Sequence, residues 1–209
     1  MRVGYDLLAQ VARLANGRCL DAAAPCAARP PGQGQRDRLE PGLRRQRIVP
    51  GQKGGEATGP NPTDRGRSGS KRHLLVDGNG IPLALLLTPA NRNDSKLLEP
   101  LIEAVWPIRQ GFGRPRKRPD RLHADKGYDF AHCRRTLRRR KIVPRIARRG
   151  IERSDKLGRY RWVIERTLAW FSRFRRLTVR YERRLDILTG FHLLAASLIC
   201  LKFVTRWFC

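Results

Sequence analysis

The sequence predicts an α/β layer fold. Three observations carry that reading: a continuous apolar run at Ile81–Thr88, helical apolar spacing in several later segments, and regular alternation of the two kinds of segment from Lys71 onward. Arg72–Asp77 reads as a short strand, and Asp77-Gly-Asn-Gly80 is a turn signal. Ile81–Thr88 then reads as a strand buried on both faces. Asn91–Ser95 supplies a helix cap, and Lys96–Trp106 has amphipathic spacing. After a basic loop, Arg109–Pro119, comes a strand at Arg121–Asp125 that Gly127 closes. A helix at Phe130–Arg140, a strand at Lys141–Ile146 and a long helix at Tyr160–Arg176 follow. The last helix is expected from about Asp186 to Phe208. Its apolar run, Phe191–Leu201, is interrupted by His192 and followed by Lys202 and Arg206, too short to span a bilayer, so it reads as a core helix.

The N-terminal part follows different rules. Ala22–Gly42 holds Pro25, Pro30, Pro31 and Pro41 with almost no periodic apolar residues, and reads as coil. Gly51–Ser70 is a Gly/Pro/Thr/Asn loop. The expected division is therefore an irregular segment, 1–52, and a folded unit, 53–209.

At 209 residues the chain is long enough for one domain with a real core. It carries 45 Lys and Arg against 18 Asp and Glu, a formal charge of +27, with a pI near 11.5. Such a balance calls for a polyanionic partner, and arginine forks onto phosphate. The five cysteines (Cys19, Cys26, Cys133, Cys200, Cys209) form no CxxC pair and no zinc spacing, so a reduced cytosolic compartment is expected. The N-terminus shows no signal-peptide pattern.

Two carboxylates stand out. Asp125, in His-Ala-Asp-Lys-Gly-Tyr-Asp, sits where a short apolar strand ends, the place where open α/β sheets bind ligands. A carboxylate there can hold a hard divalent cation. Its bland alternative is a surface acid ending a strand. Glu165 lies on a helix whose stripe is Val163, Ile164, Leu168, Trp170, Phe171 and Phe174; it shares the other face with Arg161, Ala169 and Ser172. Spacing alone favours an Arg161–Glu165 surface pair worth roughly 0.3–0.5 kcal/mol. His123 and His132 read as structural, and Asp94 and Asp129 as cap and turn residues.

The basic clusters are the stronger signal. Arg134–Arg149 contains nine Lys/Arg and no acid, Arg134, Arg135, Arg138 and Arg139 among them. Arg173, Arg175, Arg176, Arg180, Arg183 and Arg184 follow the Glu165 helix, interleaved with Phe174 and Tyr181. Interleaving with helix and strand residues predicts one folded basic groove for backbone phosphate.

Taken in order, Asn-Pro-Thr-Asp-Arg-Gly, Gly-Ser-Lys-Arg-His-Leu-Leu-Val-Asp, Gly-Ile-Pro-Leu-Ala, Ala-Asn-Arg-Asn-Asp-Ser, His-Ala-Asp-Lys-Gly-Tyr-Asp, Arg-Trp-Val-Ile-Glu-Arg-Thr and Phe-Arg-Arg-Leu resemble bacterial insertion-sequence transposases of the DDE superfamily, closest to the insertion-sequence-five family. The resemblance runs from about Lys53 to Trp207. It implies an RNase H-like mixed sheet flanked by helices, three acidic residues holding two Mg²⁺ (or Mn²⁺), and DNA as partner: the element's terminal inverted repeats and a target. It further implies multimers on DNA, a bacterial cytoplasmic, nucleoid-associated location and no membrane. By resemblance Asp125 is the second catalytic Asp and a metal ligand, Glu165 the catalytic Glu and a metal ligand, and Arg161 the arginine one helical turn before it. The lysine that some relatives carry two turns after the Glu is absent; Ser172 and Arg173 occupy that region.

One departure matters. Relatives carry the first catalytic Asp in a Val-Asp-Ser-like strand before the Lys-Gly-Gly segment. Here Leu43-Arg-Arg-Gln-Arg-Ile-Val-Pro50 stands in its place, without an acid, so the first strand is expected to be missing as well. A frameshift would account for this. Allowed codons for Leu39–Gly51, read one base later, can encode Trp-Ser-Arg-Ala-Cys-Val-Asp-Ser, the Asp codon straddling Arg45 and Gln46. The chain would then be a decayed element or a downstream frame normally joined by ribosomal slippage. Asp64 and Asp77 are the candidate replacements for the lost acid. The competing reading is a non-catalytic basic protein that binds nucleic acid through arginine alone; a ribosomal-type structural protein is disfavoured by the tryptophan- and leucine-rich helices.

Overall fold

Strand-forming sequence accounts for most of the sheet, but not for its centre. The computed structural model describes residues 42–43, 48–51, 54–62, 67–108, 114–148, 150 and 158–208. The strands are β1 (Gly42–Leu43), β2 (Ile48–Pro50), β3 (Gly59–Pro60), β4 (Ser68–Val76), β5 (Pro82–Pro89), β6 (Arg121–Ala124) and β7 (Val143–Ile146). The helices are α1 (Leu98–Glu103), α2 (Ala131–Arg139), α3 (Gly158–Ser172), α4 (Arg175–Thr178) and α5 (Leu185–Phe208). Short 3-10 turns occupy Asp94–Leu97 and Lys126–Tyr128. The coil expected at 22–41, Asp64, Cys19, Cys26 and Cys209 lie outside the described residues.

β4 and β5 form the antiparallel hairpin that the turn signal predicts, longer than expected at its first strand, which starts at Ser68. The Asp77 carboxylate closes the turn by accepting from the backbone N–H of Asn79 (3.0 Å) and Ile81 (2.7 Å). Gly80 sits there at φ +89°, a left-handed conformation that only glycine adopts freely. β6 and β7 pair in parallel, as a strand–helix–strand unit requires.

The expectation that no first strand forms is corrected. β1 lies between β4 and β6, antiparallel to the former and parallel to the latter. Gly42 stands opposite Val76 and Ile48 opposite Lys71. Seven residues on one side, 42–48, thus match six on the other, 71–76, so β1 and β2 follow one edge of β4 with a single extra residue between them. The backbone groups of β4 need partners whatever the side chains are, and Leu43, Ile48 and Val49 are compatible with a sheet. Val49 is only 2% exposed.

Alternation along β4 divides the core in two. Leu75 faces a cluster with Leu98, Leu101 and Ile102 of α1, Leu122 and Ala124 of β6, and Cys133 and Leu137 of α2. Leu74 and Val76 face the other way, onto Val163, Ile164, Leu168 and Phe171 of α3, Leu177 of α4, and Ala195, Ala196 and Ile199 of α5. α1 and α2 therefore cover one face, and α3, α4 and α5 the other.

Two helix expectations are corrected. Lys96–Trp106 is a 3-10 turn followed by a helix of six residues. Tyr160–Arg176 breaks after Ser172: Arg173 and Phe174 donate to carbonyls three residues back, Phe174 is extended, and a new turn buries Leu177. The last helix forms as expected. By length and composition Leu185–Thr205 could cross a membrane, but its buried side belongs to the core between β5 and α3.

Candidate active site

Asp125 follows β6 directly and is half-buried. Its carboxylate accepts from the Lys126 N–H at 2.8 Å, capping the 3-10 turn. Leu122 and Ala124 face α1 and α2; by strand alternation Asp125 belongs to the opposite face, the one α3 covers. α3 packs against β1, the neighbour of β6. The helix that carries Glu165 thus lies over the strand next to the one that ends in Asp125.

Anchors on either side fix the register of α3. Thr167 Oγ1 donates to the Gly80 carbonyl at 2.8 Å, and Arg166 donates to the Asn79 carbonyl. The Arg166 guanidinium also lies over the Trp162 and Trp170 rings, 4.4 and 4.9 Å from their centroids. With Val163, Ile164, Thr167 and Leu168 turned inward, Glu165 is on the exposed side with Trp162 and Ala169. Arg161 is part of α3; its side chain lies outside the described residues. A Cβ on Gly80 would stand 2.8 Å from Thr167 Oγ1. Gly80→Ala is therefore expected to cost about 1–3 kcal/mol, read from the urea midpoint, and to weaken the α3 anchor.

Oxygen donors such as Asp125 and Glu165 suit a hard divalent cation. Among the described residues no group of three His, Cys, Asp or Glu side chains could hold a metal; the sequence has no acid between Glu40 and Glu56. Asp77 does not fill the gap. Its carboxylate is committed to the hairpin turn, accepting from the Asn79 and Ile81 N–H groups, and it stands one residue beyond Val76, which is level with His123 across β1.

The family model described as the transposase DDE domain matches residues 43–200. The chain belongs to the DDE-domain transposases. A protein assigned as the transposase of insertion sequence element IS402 from Burkholderia cepacia is 50% identical over 206 residues, 99% of this chain and 98% of its own length. The transposase for insertion sequence element IS1106 from Neisseria meningitidis serogroup B is 31% identical over 149 residues, 66% of this chain and 48% of its length. No solved structure matches the chain.

Among the described residues the arginines of this transposase's basic clusters lie on two faces of the sheet. Those of α2 flank one face of the sheet and those around α4 the other, because the two helices belong to opposite core clusters. Several are occupied within the protein. Arg134 pairs with Asp129 at 2.7 Å and donates to the Ile146 carbonyl; Arg139 meets Glu99, and Arg176 meets Glu182. Arg135, Arg138, Arg173 and Arg175 are exposed. Arg180, expected on the surface, is 1% exposed. It donates to Thr58 Oγ1, Ser70 Oγ and the carbonyls of Glu182 and Arg183, at 2.6 to 2.9 Å.

Sequence reasoning also missed a buried pair, Lys71 with Asp94, at 2.8 Å. Lys71 projects from β4 into the face where α1 and α2 pack, and Asp94 sits beside Gly127 in the turn that follows Asp125. Asn93, not Asp94, caps the turn, accepting from Ser95 N–H. His132 is exposed, its Nε2 3.4 Å from the Ser95 carbonyl.

Proposed function

We propose that this chain acts in DNA transposition, as an RNase H-like catalytic core of the insertion-sequence-five group that cleaves and joins DNA strands in a metal-dependent reaction. The observation that carries the reading is Asp125 at the carboxyl end of β6, on the sheet face that the Glu165 helix covers, in a chain of the DDE-domain family. Asp125 and Glu165 would hold Mg²⁺ or Mn²⁺, which supplies Lewis acidity to the scissile phosphate and acidifies an attacking water or 3′-hydroxyl. The protein's own part is to place the two carboxylates on rigid elements and to hold the phosphate backbone with exposed cations such as Arg135, Arg138, Arg173 and Arg175. Arg161, one turn before Glu165, belongs to the same set. DNA bearing the element's terminal repeats, target DNA and further copies of the chain are the partners, in the bacterial cytoplasm at the nucleoid.

The missing first acid lowers activity in this reading. Loss of one metal-holding carboxylate removes several kcal/mol of charge stabilisation, about a thousandfold in rate. The match to the IS402 protein takes in the N-terminal segment as well, which favours a shared reading-frame arrangement over decay private to this chain. The test is Mg²⁺-dependent nicking of DNA carrying the element's ends. The chain alone should nick weakly, and Asp125→Ala or Glu165→Ala should abolish what remains. A protein whose upstream frame is restored to encode Val-Asp-Ser should be about a thousandfold faster. Strong nicking by the chain that survives Asp125→Ala overturns the proposal. A second reading, a non-catalytic DNA-binding remnant, is favoured by the acid-free stretch; it expects salt-sensitive DNA binding and no nicking in either protein.

A further inference from the structure

The face of α5 turned away from the core carries a seam without charge. Ile187, Gly190, Leu194, Leu198, Leu201 and Thr205 are all exposed, at spacings of 3, 4, 4, 3 and 4 residues. Leu194 is 54% and Leu201 50% exposed. Such spacing is that of a helix–helix seam, and this one runs about 27 Å along the helix. In a chain of +27 charge, an uncharged stripe of this length is the surface on which two copies approach with least repulsion.

We infer that α5 pairs with α5 of a second copy of this chain, antiparallel about a twofold axis near Ala196. The seam is complementary to itself in that direction. Leu194 would stand over the partner's Leu198, Leu201 over the partner's Gly190, and Ile187 over the partner's Thr205, large residues meeting small ones at both ends. Nothing lies within 4 Å of a Cβ built on Gly190, so the space that Leu201 needs is open. The acidic start of the helix, Asp186, comes within a turn or so of the partner's Lys202. Contact through one helix pair is at the small end of specific interfaces, so the dimer is concentration-dependent. Isologous contact of this kind closes on itself and stops at two.

This pairing needs no DNA, and its test is independent of cleavage. The full chain, freed of nucleic acid by nuclease and high salt, is measured by light scattering across a concentration series. The mass should rise from 24.0 kDa toward twice that value. Leu194→Asp with Leu198→Asp should weaken the dimer at least about tenfold, with the helical circular dichroism unchanged. Gly190→Lys, which disturbs no packing within the monomer, should do the same by filling the place of Leu201. A mass of 24.0 kDa throughout, or a dimer that survives both variants, overturns the inference. So does binding of the wild type to phosphatidylcholine vesicles that the leucine variants lose, which would make lipid the occupant. A dimer seen only after removal of residues 1–41 also overturns it, since the chain's own N-terminal segment would then cover the seam.

Discussion

Arg180→Met is expected to destabilise the fold by about 3–5 kcal/mol, a large part of the total stability of a domain. The guanidinium is buried, and burial lowers its pKa. It stays charged because four acceptors surround it: Thr58, Ser70 and the carbonyls of Glu182 and Arg183. Methionine fills the volume and leaves those acceptors without a donor in a dry site, each costing about 1–3 kcal/mol. The same residue closes the sheet through its backbone, donating from N–H to the Pro50 carbonyl. Arg180→Lys keeps the charge but not the fork, and should fall between wild type and Arg180→Met. Urea midpoints of the three proteins decide it; a loss under about 1 kcal/mol for Arg180→Met would mean that the site admits water.

Acid is expected to destabilise the protein between pH 6.5 and 4. His73 and His192 are completely buried, and burial lowers both imidazoles from 6.5 to about 4. Arg72 adds to the effect on His192; at His73, Lys71 and Arg92 act in the same direction and Asp94 against it. His73 contacts Thr88 Oγ1 at 2.8 Å, and His192 Nδ1 meets the Leu188 carbonyl at 2.8 Å beside the Phe171 ring. A folded-state pKa below the unfolded one means stability present above pH 6.5 and lost as pH falls toward 4, on the order of 3 kcal/mol for each histidine. Asp77 works in the opposite sense. Burial raises its carboxyl to about 6 against the hydrogen bonds from Ile81 and Asn79. Its contribution is full below pH 4 and lost as pH rises through 6, roughly 3 kcal/mol. The two histidines outweigh it, leaving a net acid loss of about 3 kcal/mol. His192→Phe should flatten the acid limb. Asp77→Asn, which keeps an acceptor for both N–H groups, should raise stability above pH 6 and steepen that limb. Denaturation series at pH 7.5 and 4.5 test both; equal slopes for His192→Phe and wild type would remove the histidine from the account.

The hairpin from Arg72 to Thr88, the strand at Arg121, the helix at Phe130 and the last helix were legible because each carries its own signal: turn residues between apolar runs, or apolar residues at helical spacing. Asp125 was legible for the same reason, a polar residue where a strand pattern stops. β1 was not. Two residues among arginines and prolines show no periodicity, and only the unpaired edges of β4 and β6 make a strand of them. The break after Ser172 was hidden because Phe174 and Leu177 continue an apolar pattern that the tertiary packing interrupts.

Sequence by itself determined the family, the charge that calls for a polyanion, and the absence of an acid between Glu40 and Glu56. Those are properties of residue identity and order, and folding cannot alter them. Tertiary structure alone decided which cations are spent inside the protein and which reach solvent. Arg180 and Arg175 are indistinguishable as letters in a basic run, yet one completes a buried network and the other lies at the surface. That difference depends on which acceptors the chain brings together from distant positions, Thr58 and Ser70 among them, and nothing local to Arg180 specifies it.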